Sequence, residues 1–197
     1  MKQPNILNIQ MSKFILFFSF LFLSFFNLKS ETMILDNLEN PGKTTQNQNW
    51  SFFTDGVMGG LSEGTIYQDS ILGTPCYRMT GNVTTENNGG FLMTRTFIKP
   101  NIKAKEYTGI YIKVYGNGED YFLHVKTPFT PAVWQYYGYK FKTSNEWLKI
   151  KAPFSDFKRS NFYQPKTMIN HKIKNVAVVA GFNDYKSDIC FAEIGFY

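Results

Sequence analysis

Ile110, Ile112 and Val114 alternate with Tyr111, Lys113 and Tyr115, and further along Tyr121, Leu123 and Val125 repeat the pattern. A period of two places every second side chain on one face, so each run reads as a strand with one buried and one wet face. Gly116-Asn117-Gly118 between them tolerates positive φ, and the pair reads as a hairpin. The same grammar extends along the chain. Strands are expected at Met33–Leu38, Trp50–Phe53, Gly64–Gln68, Cys76–Thr80, Phe91–Phe97, Trp134–Lys142, Trp147–Lys151, Lys174–Gly181 and Ile189–Phe196. Ala152–Phe157 has room for one helical turn, and residues 158–172 read as a long polar loop. No segment carries a sustained 3.6-residue period. Many short strands with turn signals at this spacing predict an all-β sandwich or barrel.

The first thirty residues stand apart. Lys13 precedes an uncharged run from Phe14 to Leu28, which holds seven of the twenty phenylalanines. Fifteen residues fall short of the roughly 20 that span a bilayer comfortably and match the apolar core of a secretory signal peptide. Residues 1–30 are therefore expected to be a leader, with Met11 as an alternative start and Ser30 before the cleavage point. Residues 31–197 would form a single domain, exported to the periplasm. An uncleaved membrane anchor at residues 14–28 is the alternative, and would bring membrane contact. The leader also explains part of the charge. Formal net charge is +6, but Lys2, Lys13 and Lys29 lie in the leader without an acid, so the remainder carries +3. Its cations are scattered among apolar residues, without the concentrated stripe a nucleic-acid surface needs. No nucleic-acid partner is expected.

Cys76 and Cys190 are the only cysteines. Export favours a disulfide, whereas alternation argues mildly against one. Tyr77 and Met79 look inward, so Cys76 points outward, while Cys190 shares its phase with Ala192 and Ile194, which read as core. His124 and His171 read as ordinary surface histidines, with no convergent metal ligands or triad partners. No cofactor is expected.

Two glycine-rich turns are the most informative motifs: Asp55-Gly56-Val57-Met58-Gly59-Gly60 with Ser62, and Glu86-Asn87-Asn88-Gly89-Gly90-Phe91 with Arg95 in the next strand. With Gly81, Tyr107, Gly109, Tyr115-Gly116-Asn117-Gly118 and Pro153-Phe154-Ser155-Asp156-Phe157, they resemble the complex I intermediate-associated protein 30 family over residues 33–197. The resemblance implies a galactose-binding-like jelly roll, a β-sandwich of two antiparallel sheets. It also implies an assembly-factor or chaperone-like role on other proteins.

Asp55 and Glu86 could pair as acid and base in a hydrolase, but nothing else supports catalysis. A turn-capping Asp55 and a Glu86 that is solvated or paired with Arg95 are preferred. The glycines do not form a phosphate loop, because no Lys-Ser/Thr and no helix follow. Trp134, Tyr136, Tyr137 and Tyr139 could fill the core, stack on sugar rings or meet a protein. Tyr137, Tyr139 and Phe141 cannot share a face with Trp134 and Tyr136. The expectation is a non-enzymatic module that binds a protein partner, with carbohydrate binding as the alternative. The candidate binding surface is Asp55, Met58, Ser62, Glu86, Asn87 and Arg95, brought together at one end or edge of the sandwich.

Overall fold

A computed structural model describes residues 32–197. The leader, its alternative start at Met11 and the anchor alternative at 14–28 lie outside the described residues. Twelve strands follow in order: β1 Met33–Asp36, β2 Trp50–Thr54, β3 Glu63–Ile71, β4 Thr74–Val83, β5 Phe91–Phe97, β6 Gly109–Gly116, β7 Asp120–Lys126, β8 Tyr137–Lys142, β9 Leu148–Pro153, β10 Lys158–Arg159, β11 Asn175–Gly181 and β12 Tyr185–Phe196. They pair into two antiparallel sheets. The first has the order β3-β4-β12-β6-β9, with β1 also on β12; the second runs β10-β8-β7-β11-β5-β2. This is the expected all-β jelly-roll sandwich.

The alternating residues all point into one core. Ile110, Ile112, Val114, Tyr121, Leu123 and Val125 are almost completely buried in a single cluster. Their strands are nevertheless not a hairpin. β6 belongs to the first sheet and β7 to the second, so the two face each other across the core. Inward alternation is the same for strands lying side by side and strands stacked face to face, and the turn at Gly116–Gly118 serves as a crossover. Asn117 ties this crossover to the first sheet, its N–H reaching the Asp188 carbonyl and its side-chain amide the Lys186 carbonyl. β8 and β9 likewise part between the two layers. In β8, Tyr137, Tyr139 and Phe141 turn inward, which leaves Tyr136 and Trp134 outside.

An aromatic trio, Trp50, Tyr77 and Phe191, joins the layers with ring centroids 5.3–6.2 Å apart. Buried Asp36 organises it by accepting hydrogen bonds from Trp50 Nε1 at 2.6 Å and Tyr77 Oη at 3.4 Å. Burial holds the Asp36 carboxyl above its ordinary range, against those bonds and one from the Leu38 N–H.

The cysteines form a disulfide, Cys76–Cys190, with Cα atoms 5.6 Å apart. The alternation argument fails at a bulge. The register between β12 and β6 shifts between Phe191 and Glu193, so Ala192 and Glu193 together oppose one residue of β6. Ile194 returns to the core, whereas Cys190 and Ala192 face outward with Cys76, under Ile71, Tyr115 and Trp147. The bridge spans 114 residues of sequence. Replacing both cysteines by serine should lower stability by about 2–4 kcal/mol, read as a shift of the urea midpoint. An unchanged midpoint, with or without reductant, would show that the bridge is not formed in solution.

Candidate functional site

The two glycine motifs occupy successive crossovers. Residues 55–62 carry the chain from β2 in the second sheet to β3 in the first, and residues 84–90 return it from β4 to β5. Thr54, in extended conformation, caps a 3₁₀ turn at Asp55–Met58 by accepting the Gly56 N–H on its Oγ1. That leaves the Asp55 side chain free to turn inward, where it is completely buried. Its carboxylate accepts the Ser62 N–H at 2.9 Å, the Ser62 hydroxyl at 2.6 Å, the Gly90 N–H, and the Phe91 N–H at 3.3 Å. Ser62 Oγ in turn accepts the Thr84 N–H at 3.1 Å. Burial alone would raise the carboxyl's pKa. The Ser62 hydroxyl and the N–H groups of Gly90, Ser62 and Phe91 outweigh it and hold Asp55 below the usual carboxylate range.

Two glycines are explained by this packing. A Cβ on Gly60 would lie 2.3 Å from the Asp55 carboxyl carbon, and one on Gly89 would lie 2.4 Å from its Oδ2. The backbone is approached closely, and the group that approaches is the protein's own carboxylate.

Of the six candidate surface residues, the structure brings five to this corner. Asp55 and Ser62 lie inside it and hold the turns from beneath. Met58, Glu86 and Asn87 are exposed on the two 3₁₀ turns above. With Met58 (64% exposed) stand Val57 (74%) and Leu61 (50%), an apolar ledge on a rigid support. Arg95 lies elsewhere, four residues or about 13 Å along β5 from Phe91. Its guanidinium sits over Phe53 at 4.8 Å and Phe97 at 5.2 Å, and no ion pair joins it to Glu86 among the described residues.

A second feature was not expected. On the outer face of the second sheet, Phe122, His124, Tyr136, Lys140, Lys158 and Phe182 line an open groove of about 570 Å³. His124 is no ordinary surface histidine. It is 6% exposed, and Tyr136 stacks on it with centroids 3.7 Å apart and planes 11° from parallel. Burial pushes its pKa down to about 3, so the ring is neutral near pH 7, and its Nε2 finds no hydrogen-bond partner among the described residues. Phe182 closes the rim, edge-on to Phe122 at 4.8 Å, from a left-handed backbone conformation of φ 73° that a bulky residue rarely adopts. The aromatic run Trp134–Tyr139 was a sequence signal for this groove. Nothing in the sequence marks Phe182 as joining it.

Removing the Asp55 carboxylate should strand four donors. Asp55→Ala should cost roughly 3–5 kcal/mol, a fall in melting temperature of about 10 °C. Because the folded pKa is lowered, Asp55 contributes its stability above the unfolded value near 4 and loses it as pH falls through the folded value. The difference between wild type and Asp55→Ala, followed by thermal melts, should therefore narrow only below about pH 4. A gap already closed at pH 6 would refute this role.

Solved structures similar to this chain include carbohydrate-binding modules. The family 11 module of the cellulosomal cellulase Lic26A-Cel5E of Clostridium thermocellum matches with a TM-score of 0.67 at 16% identity, covering 84% of this chain and 94% of the module. The family 11 module from Clostridium thermocellum in complex with a β-1,3-1,4-mixed-linked tetrasaccharide matches with a TM-score of 0.64, again at 16% identity and with the same coverage of 84% and 94%. At this identity the likeness establishes the fold. No curated protein matches the sequence. The family model of complex I intermediate-associated protein 30 (CIA30) matches residues 39–188, a span that contains both glycine motifs and the Asp55 corner they build. The chain belongs to the complex I intermediate-associated protein 30 family.

Proposed function

We propose that this protein is a non-catalytic binding module that engages a protein partner in an assembly-factor-like role. The observation that carries the reading is the ledge of Val57, Met58 and Leu61, exposed side by side on a turn locked from below by Asp55. Large apolar side chains presented on a pre-ordered support lose little entropy on binding, which is the character of an interface anchor. Family membership supports the same role. The Met58→Ser/Leu61→Ser double variant should keep its melting temperature within a few degrees of wild type, because exposed side chains contribute little to stability. It should lose at least tenfold in partner capture by cross-linking from position 87. Capture unchanged by both substitutions would remove the ledge from the interface.

The proposed place of action is outside the cytoplasm, after cleavage of residues 1–30. The Cys76–Cys190 disulfide supports this reading, since such bridges persist in oxidising compartments. N-terminal sequencing of the native protein should begin near Glu31, and recovery of an intact Phe14–Leu28 run would favour the anchor instead.

A second reading, carbohydrate binding, is favoured by the groove over His124. A ring stacked flat on a buried imidazole, flanked by Phe122 and Phe182, offers the apolar platform on which a sugar ring stacks. Carbohydrate-binding modules share this fold, and one of them is seen with a bound mixed-linked tetrasaccharide.

A further inference from the structure

We infer that the groove over His124 takes an acidic glycan, one bearing uronate carboxylates or sulfate groups; the inference rests on the carbohydrate reading and narrows it. The charge around the platform is one-sided. Lys140, Lys158 and Arg159 line the groove with a single carboxylate, Asp156. Lys140 is already neutralised by Asp120 at 2.7 Å. Lys158 and Arg159 are not matched in this way. Lys158 is exposed and has no ion-pair partner among the described residues. The Arg159 guanidinium is held at 2.9 and 2.8 Å by the carbonyls of Phe162 and Gln164 and lies over the Phe162 ring at 5.3 Å, with Arg159 in register with inward-facing Tyr137, so Lys158 is the unpaired cation that faces the groove.

The sheet register sets the spacing between platform and charge. Lys158 pairs with Gly138, and Gly138 pairs with His124, so the three lie in one row across β10, β8 and β7. Two strand spacings put the Lys158 backbone about 10 Å from that of His124, with the Tyr136 ring above the imidazole. A sugar ring stacked on Tyr136 would then hold an equatorial carboxylate within reach of the lysine stem. The imidazole beneath, covered by Tyr136, serves as the support of the platform rather than as a contact to the sugar. Positive charge continues along the same face. Lys126, the next outward residue of β7, is held below the ordinary lysine range first by burial and then by Arg95 and Lys174. Such a face repels cations, gains nothing special from a neutral polymer, and attracts a polyanion in a salt-dependent way.

The mature chain with its disulfide intact can be titrated calorimetrically with polygalacturonate and alginate, and with neutral mixed-linkage β-glucan, at 20 mM and 500 mM NaCl. Acidic glycans should bind and β-glucan should bind at least tenfold more weakly. Tyr136→Ala should weaken acidic-glycan binding tenfold or more, and Lys158→Gln about threefold to fivefold. Lys186→Gln, on the outer face of the opposite sheet, should change nothing. Since Tyr136→Ala uncovers His124, Lys158→Gln, whose side chain is exposed, carries the test if the first variant misfolds. Equal binding of β-glucan with Lys158→Gln silent would overturn the acidic specificity and leave the carbohydrate reading standing. Binding weakened equally by Lys186→Gln would mean unspecific attraction to a basic protein and would also overturn it. No binding of any glycan would remove the carbohydrate reading itself.

Discussion

Four donors from two separate crossovers converge on the Asp55 carboxylate, and this convergence ties the β2–β3 connection to the β4–β5 connection. The turn after β2 must deliver Ser62 to the first sheet, and the turn after β4 must deliver Gly90 and Phe91 back to the second. Asp55 accepts from both, so the two reversals are fixed relative to each other rather than separately. A carboxylate suits this place because it only accepts, and all its neighbours donate. An amide or hydroxyl would bring a donor among donors. The burden of burying a charge is offset because each remaining lone-pair direction finds an N–H or O–H. Glycine at positions 60 and 89 follows from the same geometry, since a methyl at either would occupy the space of the carboxyl group.

Much of this could be read from the chain before its fold was seen, and what could not has physical reasons. Alternation identified the inward residues of β6 and β7 correctly, because burial depends only on which face a side chain occupies. It could not say whether those strands are neighbours or opposites, because both arrangements bury the same set. The cysteines were assigned to different faces by counting in twos, and one bulge at Ala192 reversed the count. The glycine motifs stand out in the sequence as turns, but their spacing cannot reveal that the group approaching the backbone is Asp55 itself. His124 was misplaced for a subtler reason. It does lie on the outward face with Lys126, but outward does not mean wet when Tyr136 and Phe182 fold over it.

The two outer faces of the sandwich differ in kind. On the first sheet, cations lie on rings or beside acids: Lys113 over Trp147, Lys149 over Tyr111 and near Glu193, Arg78 between Asp69 and Asp188. On the second sheet Lys140 pairs with Asp120, and Arg95 and Arg159 rest on phenylalanines, but exposed Lys158 beside the aromatic groove meets no acid among the described residues. The apolar ledge at the Asp55 corner is a third surface, with its own chemistry. A single sandwich thus presents a face of largely paired cations, an aromatic groove with a free lysine and an apolar edge.

The Cys76–Cys190 bond gives the molecule a durability that folding free energy does not measure. Phe162 and Tyr163 stand 79% and 87% exposed in the irregular stretch between β10 and β11, an inviting place for a protease to cut. A cut there separates β11 and β12 from the ten strands before them. β11 lies between β7 and β5, β12 lies between β4 and β6, and the sulfur bridge runs from β12 back to β4. The nicked chain would remain one covalent object, with its severed piece held in the middle of both sheets. A protein so stapled can be nicked without being dismantled, because the severed piece leaves only once the bridge is broken as well.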